Sequence, residues 1–286
     1  MSGPVVLVFD SGLGGLTVYR EIVRAAPAAR FVYVADDAVF PYGALTPEAL
    51  VARVNDVMDA EIARWRPDIV VIACHTASTL VLPHLRARHA IPFVGTVPAI
   101  KPAVSASRSR MISVLATPGT VARDYTRDLV RTWAGDCAVA LVGSRRLATL
   151  AEQAMAGEAI ADSDIQAELA PCFNVSADGA RRTDAVVLAC THYPLLLEHF
   201  RALAPWPVDW IDPALAIARR TVDLLGQAGF DVMAGQAAAP AEMVLTGGAR
   251  LNPALRAALG DFGLQRIQIA PVESASARPA PAARTG

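Results

Sequence analysis

Residues 69–76 of the chain read IVVIACHT, and residues 185–192 read AVVLACTH. Each stretch begins with a run of four apolar residues that includes two or more β-branched ones, which is typical of a strand buried on both faces of a parallel sheet. Alanine, cysteine and polar residues that include Thr and His follow in both stretches. Because ligands of such sheets bind beyond the carboxyl ends of the strands, the repeat predicts a cleft with Cys74 on one wall and Cys190 on the other.

Outward from these stretches, short apolar runs alternate with segments that carry apolar residues at helical spacing. The predicted strands are residues 5–9, 31–34, 69–72, 92–94, 111–115, 138–142, 185–188, 243–245 and 266–269. The predicted helices are residues 16–25, 47–64, 120–133, 148–155, 214–225 and 254–259. The alternation is typical of the α/β class. We expect two pseudo-symmetric domains, each a mostly parallel sheet flanked by helices, with the active site in the cleft between them.

Two breaks in this pattern predict the domain boundaries. Residues 98–109 are rich in Pro, Ala and Ser, and residues 204–207 read APWP. The first domain is therefore predicted to be discontinuous, with residues 1–98 and 208–270, and the second to comprise residues 99–207.

The composition excludes several classes of protein. Of the 286 residues, 53% are hydrophobic and 19% are charged, which excludes a wholly disordered chain. A net charge of -1 provides no basic field for a phosphate backbone, so we expect no nucleic-acid partner. We expect no export signal, because neither a basic region nor a long apolar segment precedes the first predicted strand. No apolar run approaches the ~18 residues of a membrane span, and no Cys-x-x-Cys pair occurs. We therefore expect a cytoplasmic protein with reduced thiols, no membrane contact and a disordered tail over residues 271–286.

A glycine-rich turn follows the first predicted strand, where residues 9–17 read FDSGLGGLT. Thr17 stands where the dinucleotide fingerprint needs glycine, and no Gly-Lys-Ser/Thr follows. The turn could bind a small anion through its backbone N–H groups and the Ser11 hydroxyl. The alternative is a tight structural turn in which Asp10 caps the next helix.

The other motifs also have two interpretations each. A cysteine after a strand is most often a core residue, but the repeat favours a functional pair. Cys74 with His75 and Cys190 with His192 could bind zinc, although adjacent residues seldom reach one ion, so no metal is expected. Residues 41–43 read PYG, which is either an ordinary turn or a carboxylate site built from the Tyr42 hydroxyl and the Gly43 N–H.

Five blocks together resemble the glutamate racemases, the cofactor-independent two-cysteine amino-acid racemases of bacterial cell-wall synthesis. The resemblance runs from about residue 5 to residue 220. Its carriers are FDSGLGGLT (9–17), PYG (41–43), ACHTAS (73–78), ATPGT (116–120) and ACTHYPL (189–195).

The resemblance implies an isomerase that interconverts L- and D-glutamate and supplies D-glutamate for peptidoglycan. Racemisation needs two acid/base groups on opposite faces of one carbon, which two thiols can provide. Cys74 would take the proton from D-glutamate with help from Asp10, and Cys190 from L-glutamate with help from His192. Glu152 matches the acidic partner of that histidine. No cofactor is implied, and Lys101, the only lysine, lies outside every motif, which argues against pyridoxal phosphate.

The resemblance further implies a homodimer and a set of substrate-binding residues. These are Asp10, Ser11, Tyr42, Gly43, His75, Thr76, Thr117, Thr120, Thr191 and His192. His75 departs from the family, which usually has asparagine there, and we expect a neutral imidazole to replace one amide hydrogen bond. The alternative is a protonated imidazole that stabilises the Cys74 thiolate and attracts a substrate carboxylate. Two alternatives stay open: a related two-cysteine racemase acting on aspartate or hydantoin, and a catalytically silent amino-acid-binding protein.

Overall fold

A computed structural model describes residues 3–233, 240–248 and 251–273. Within these residues the chain forms ten strands: β1 Val5–Asp10, β2 Arg30–Ala35, β3 Ile69–Ile72, β4 Phe93–Gly95, β5 Met111–Ala116, β6 Ala138–Gly143, β7 Ala185–Ala189, β8 Asp209–Ile211, β9 Glu242–Leu245 and β10 Arg266–Ile269. They form a six-stranded sheet in the order β10-β9-β2-β1-β3-β4 and a four-stranded sheet in the order β6-β5-β7-β8. All of these strand pairs are parallel.

The same described residues form eleven α-helices: α1 Leu16–Ala25, α2 Pro47–Trp65, α3 His75–Arg88, α4 Ile100–Ala106, α5 Pro118–Val121, α6 Asp124–Trp133, α7 Leu147–Met155, α8 Asp162–Leu169, α9 Leu197–Leu203, α10 Ala214–Gln227 and α11 Pro253–Asp261. Helices cover both faces of the first sheet. Val6 and Val8 of β1 pack in a cluster with α1 and α10, whereas Leu7 and Phe9 pack in the opposite cluster with α2 and α3. Burial on both faces explains why β1 is a continuous apolar run, and the predicted α/β class is confirmed.

One local prediction was wrong. The single helix expected over residues 120–133 is interrupted, because the Thr126 hydroxyl donates to the Thr120 carbonyl at 2.7 Å and Arg123 is extended. Residues 98–109, expected as a crossing between the two domains, contain α4, whose Ile100 packs in the core of the second sheet. Pro102 is tolerated there because it lies in the first turn, where its missing N–H has no intrahelical partner.

Strand pairing also bears on the predicted boundaries. β8 pairs with β7, so residues 209–211 belong to the second sheet although the boundary was expected after residue 207. Residues 274–286 of the expected tail lie outside the described residues. None of the helices that the structure describes combines the length and apolar content needed to cross a membrane.

Candidate active site

A cavity lies between the carboxyl ends of strands from both sheets. It is lined by Ser11, Phe40, Pro41, Tyr42, Gly43, Cys74, His75, Thr76, Thr117, Ala148, Cys190, Thr191 and His192. Ten of these residues belong to the set expected from the sequence. Asp10, Thr120 and Glu152 were also expected, and they lie behind the lining residues rather than among them.

Cys74 stands one residue beyond β3 and is the N-cap of α3. Its side chain is almost fully buried, and Sγ lies 3.6 Å from the Ser11 hydroxyl. Burial raises the pKa of the thiol to about 12, with a further contribution from the negative charge of Asp10, while hydrogen bonds from the Ala77 amide and from Ser11 act in the opposite direction. Without a substrate, Cys74 is therefore a protonated thiol.

Cys190 follows β7 and has a different partner. Its Sγ lies 3.8 Å from Nδ1 of His192, and Nε2 of that ring lies 2.8 Å from Oε1 of Glu152, both residues being buried. Burial alone would lower the pKa of His192, but the hydrogen bonds and negative charges of Cys190 and Glu152 raise it well above the usual value. The chain therefore places an imidazolium beside Cys190.

The glycine-rich turn after β1 holds these second-sheet groups in place. Glu152 Oε1 accepts a hydrogen bond from the Leu13 amide at 2.6 Å. A Cβ on Gly12 would lie 2.3 Å from that oxygen, and one on Gly14 would lie 2.6 Å from the backbone nitrogen of His192. The anion that this turn binds is thus the carboxylate of Glu152, and the close approach requires glycine.

Asp10 is fully buried at the end of β1. Its carboxylate accepts hydrogen bonds from the Gly12 amide and from the Thr191 hydroxyl, each at 3.1 Å. Burial raises the pKa of Asp10, and the positive charge of His192 offsets part of that rise. The alternative in which Asp10 caps α1 was wrong, since the N-cap is Gly15 and makes no side-chain bond.

Three threonine hydroxyls meet where α3 approaches α5. Thr76 Oγ1 lies 3.0 Å from Thr117 Oγ1 and 3.4 Å from Thr120 Oγ1, and the latter two are 3.0 Å apart. Each hydroxyl carries one proton that can turn toward a neighbour or toward a ligand oxygen. The cluster therefore supplies donors to the cavity from both sheets.

The Tyr42 hydroxyl, expected to be a donor to a substrate carboxylate, has a partner within the protein. It donates to the buried carboxylate of Asp36, so its proton is not available to a substrate carboxylate in this arrangement. Burial, together with the charge of Asp36, raises the pKa of Tyr42 well above its usual value, which keeps the hydroxyl protonated. Gly43 lines the cavity, and a Cβ there would lie 3.4 Å from Thr117.

His75 is buried at the first position of α3, with Nε2 3.2 Å from the Thr96 hydroxyl. Its Nδ1 has no protein partner among the described residues. Burial lowers the pKa of His75 to about 3. The imidazole is therefore neutral at physiological pH.

Sequence reasoning missed three lining residues, Phe40, Pro41 and Ala148. The Phe40 ring lies 5.3 Å from the ring of His192, centroid to centroid. Its position directly before the PYG motif was the available signal. Within the described ranges, no group of three or more His, Cys, Asp or Glu side chains is placed to hold a metal ion.

Two thiols facing one cavity, each with its own polar partners, define the class of proton-transfer isomerases. The chain belongs to the Asp/Glu/Hydantoin racemase family, whose sequence model matches residues 6–221.

Within that family, the chain is 59% identical to the glutamate racemase of Brucella anthropi over 221 residues, which cover 77% of this chain and 79% of that protein. The glutamate racemase of Brucella canis is 57% identical with the same coverage. A crystal structure of Escherichia coli glutamate racemase in complex with L-glutamate and the activator UDP-MurNAc-Ala superimposes with a TM-score of 0.84. It is 35% identical, and the match covers 95% of this chain and 99% of that one.

Proposed function

We propose that the chain is a glutamate racemase that interconverts L- and D-glutamate by proton transfer between two thiols. The observation that carries the proposal is the placement of Cys74 and Cys190 beyond strands of two different sheets, lining one cavity. Glutamate is favoured as the substrate by the identity to glutamate racemases and by the E. coli enzyme, which binds L-glutamate. A cavity for binding alone would need no thiol pair.

In the L-to-D direction, the Cys190 thiolate takes the α-proton. The electron pair of the broken C–H bond stays on the α-carbon and is delocalised into the α-carboxylate. The Cys74 thiol then gives its proton to the opposite face. The products are D-glutamate, a Cys190 thiol and a Cys74 thiolate, and the reverse reaction restores the starting forms. No electron acceptor or cofactor enters this balance.

The surroundings of the thiols support these assignments. The protonated His192 ring stabilises the Cys190 thiolate, and Glu152 keeps that ring protonated and oriented. The Cys74 thiolate that forms at the end of the L-to-D reaction has the Ser11 hydroxyl and the Ala77 amide as donors. It also lies at the positive end of the α3 dipole.

The substrate groups need donors and acceptors around the cavity. We assign the carboxylates to the Ser11 hydroxyl, the Gly43 amide and the threonine hydroxyls of Thr76 and Thr191. Thr117 and Thr120 orient Thr76 from the other sheet. Neutral His75 offers its Nδ1, which is free of protein partners among the described residues.

Circular dichroism of glutamate during inversion, without added cofactor, tests the proposal directly. We expect L- and D-glutamate to converge on the same zero signal. A panel of amino acids in D₂O separates glutamate from aspartate or hydantoin by which α-proton exchanges. Absence of inversion and of exchange with every substrate would favour the silent binding protein.

Three further parts of this proposal concern the setting of the enzyme. We infer that the product D-glutamate serves peptidoglycan synthesis, which is the general role of the family. A cytoplasmic location and a homodimer remain predictions. The division into two domains also remains a prediction, with the second boundary moved beyond residue 211 because β8 belongs to the second sheet.

A further inference from the structure

A buried carboxylate next to the cavity takes no part in the proton transfers proposed above. Asp36 is fully buried directly after β2. Its Oδ1 accepts from Arg53 Nη2 at 2.5 Å and from the Thr246 hydroxyl at 2.6 Å. Its Oδ2 accepts from Arg53 Nε at 2.8 Å and from the Tyr42 hydroxyl. We call these four residues the Asp36 cluster.

The Asp36 cluster joins distant parts of the chain under one wall of the cavity. Arg53 lies in α2, and Thr246 follows β9. The third nitrogen of the guanidinium, Nη1, donates to the carbonyl of Val272 at 2.6 Å. Val272 lies beyond the end of β10. Arg53 therefore ties the chain after β9 and β10 to Tyr42, with Asp36 as the link between them.

The part of the cavity wall formed by Tyr42 and Gly43 is short and has few hydrogen bonds of its own. Tyr42 and Gly43 belong to a single 3₁₀ turn, in which the Ala44 amide donates to the Pro41 carbonyl at 3.2 Å and the Leu45 amide to the Tyr42 carbonyl at 3.1 Å. Such a turn has little intrinsic stability. The bond from the Tyr42 hydroxyl to Asp36 anchors it to the sheet, and the planar fork of Arg53 fixes the orientation of that carboxylate.

We propose that Arg53 is a positioning residue, which holds the Tyr42–Gly43 wall of the substrate cavity in place through Asp36. This inference rests on the proposed function for its effect on glutamate, but its effect on the turn is independent of that function. Under the proposed function, the Gly43 amide of this wall binds a substrate carboxylate and takes no part in the proton transfers. Loosening of the wall therefore weakens binding of both enantiomers and leaves the chemical step nearly unchanged.

The test compares Arg53→Lys with the wild-type protein in the full chain. Lysine keeps the positive charge and loses the fork. We expect the Ala44 and Leu45 amides to exchange hydrogen about tenfold faster, as expected for the loss of one anchoring hydrogen bond. We also expect KM for L- and for D-glutamate to rise by the same factor, with little change in kcat.

Two further variants isolate the route of the effect. Arg86→Lys is the matched control, because Arg86 Nη2 also donates to a backbone carbonyl, that of Phe93 in β4, at 3.0 Å. We expect neither the amide exchange nor KM to change in it. Tyr42→Phe removes the hydrogen bond from the Tyr42 hydroxyl to Asp36 and leaves the Arg53–Asp36 pair intact. It should therefore reproduce the faster amide exchange. In the Tyr42→Phe background, Arg53→Lys should add no further rise in KM.

Three results would overturn the proposal. The first is amide exchange of Ala44 and Leu45 in Arg53→Lys that equals the exchange in Arg86→Lys. The second is an Arg53→Lys effect on KM that is fully additive with that of Tyr42→Phe. The third result applies if Arg53→Lys does not fold: the Ala44 and Leu45 amides of Tyr42→Phe exchange at the wild-type rate. Absence of racemisation by the wild-type protein would overturn the proposed function instead, and the exchange measurement would still decide the role of Arg53.

Discussion

Replacing Glu152 with glutamine changes the charge beside His192 and little else. Glu152 Oε1 accepts from the Leu13 amide at 2.6 Å and lies 2.8 Å from His192 Nε2. The amide oxygen of glutamine can accept both bonds, so the turn after β1 keeps its partner. The variant therefore isolates the electrostatic effect of the carboxylate on the imidazolium.

The free energy lost in Glu152→Gln follows from the buried contact between Glu152 and His192. A hydrogen bond between charged partners contributes about 1.5–3 kcal/mol and a neutral one about 1 kcal/mol, so the loss is about 1.5 kcal/mol. That free energy corresponds to about one unit in the pKa of His192.

The sign of the pH effect is fixed by the direction of the His192 shift. The pKa of His192 is raised, so the imidazolium is present at neutral pH and is lost as pH rises through that pKa. Removing the carboxylate lowers the pKa, and the alkaline limit of kcat/KM should move down by about one unit. Because the enantiomers have equal free energy, kcat/KM must fall by the same factor in both directions.

Circular dichroism rates across the alkaline range, for Glu152→Gln and for wild type, measure this shift. Glu168→Gln is the matched control, because Glu168 Oε2 also accepts from a backbone amide, that of Arg145, and does not line the cavity. It should leave the profile unchanged. An unchanged alkaline limit in Glu152→Gln, with a folded protein, would refute the role assigned to the Glu152–His192 pair.

Further predictions concern the cavity and its supports. His75→Asn should keep most of the activity and leave the pH profile unchanged, because burial keeps the His75 imidazole neutral; a shift in the profile would contradict this. Gly14→Ala should lower kcat/KM at least tenfold by displacing His192, whereas Gly226→Ala, which has open space around its Cβ, should have no effect. Equal activities of the two alanine variants would contradict the close approach of Gly14 to His192. Dialysis against a chelator should leave activity unchanged with no cofactor absorbance, and activity restored by zinc would require a metal site.

The cysteines could be predicted from the sequence because a local pattern places them. Cys74 and Cys190 each follow an apolar run and an alanine, and the carboxyl ends of parallel strands share one edge of a sheet. That argument needs only the strand pattern and the repeat. The cavity lined by both thiols follows from it.

Other contacts of the site leave no local pattern. The bond between Leu13 and Glu152 joins residues 139 positions apart, and Glu152 was expected only through the family resemblance. Likewise, nothing near Tyr42 in the sequence indicates that its hydroxyl donates to Asp36, or that Arg53 holds that carboxylate. Such pairs arise from the packing of separate elements, which periodicity does not encode.

Exchange of the α-proton of glutamate in D₂O, followed separately from each enantiomer, tests the central claim of one thiol for each face. With Cys74→Ser, Cys190 can still remove the proton of L-glutamate and return deuterium to the same face. We therefore expect deuterated L-glutamate without inversion and almost no exchange from D-glutamate. Cys190→Ser should give the reverse pattern. Near-wild-type racemisation by both variants, or the same exchange from both enantiomers in either one, would contradict the two-thiol mechanism.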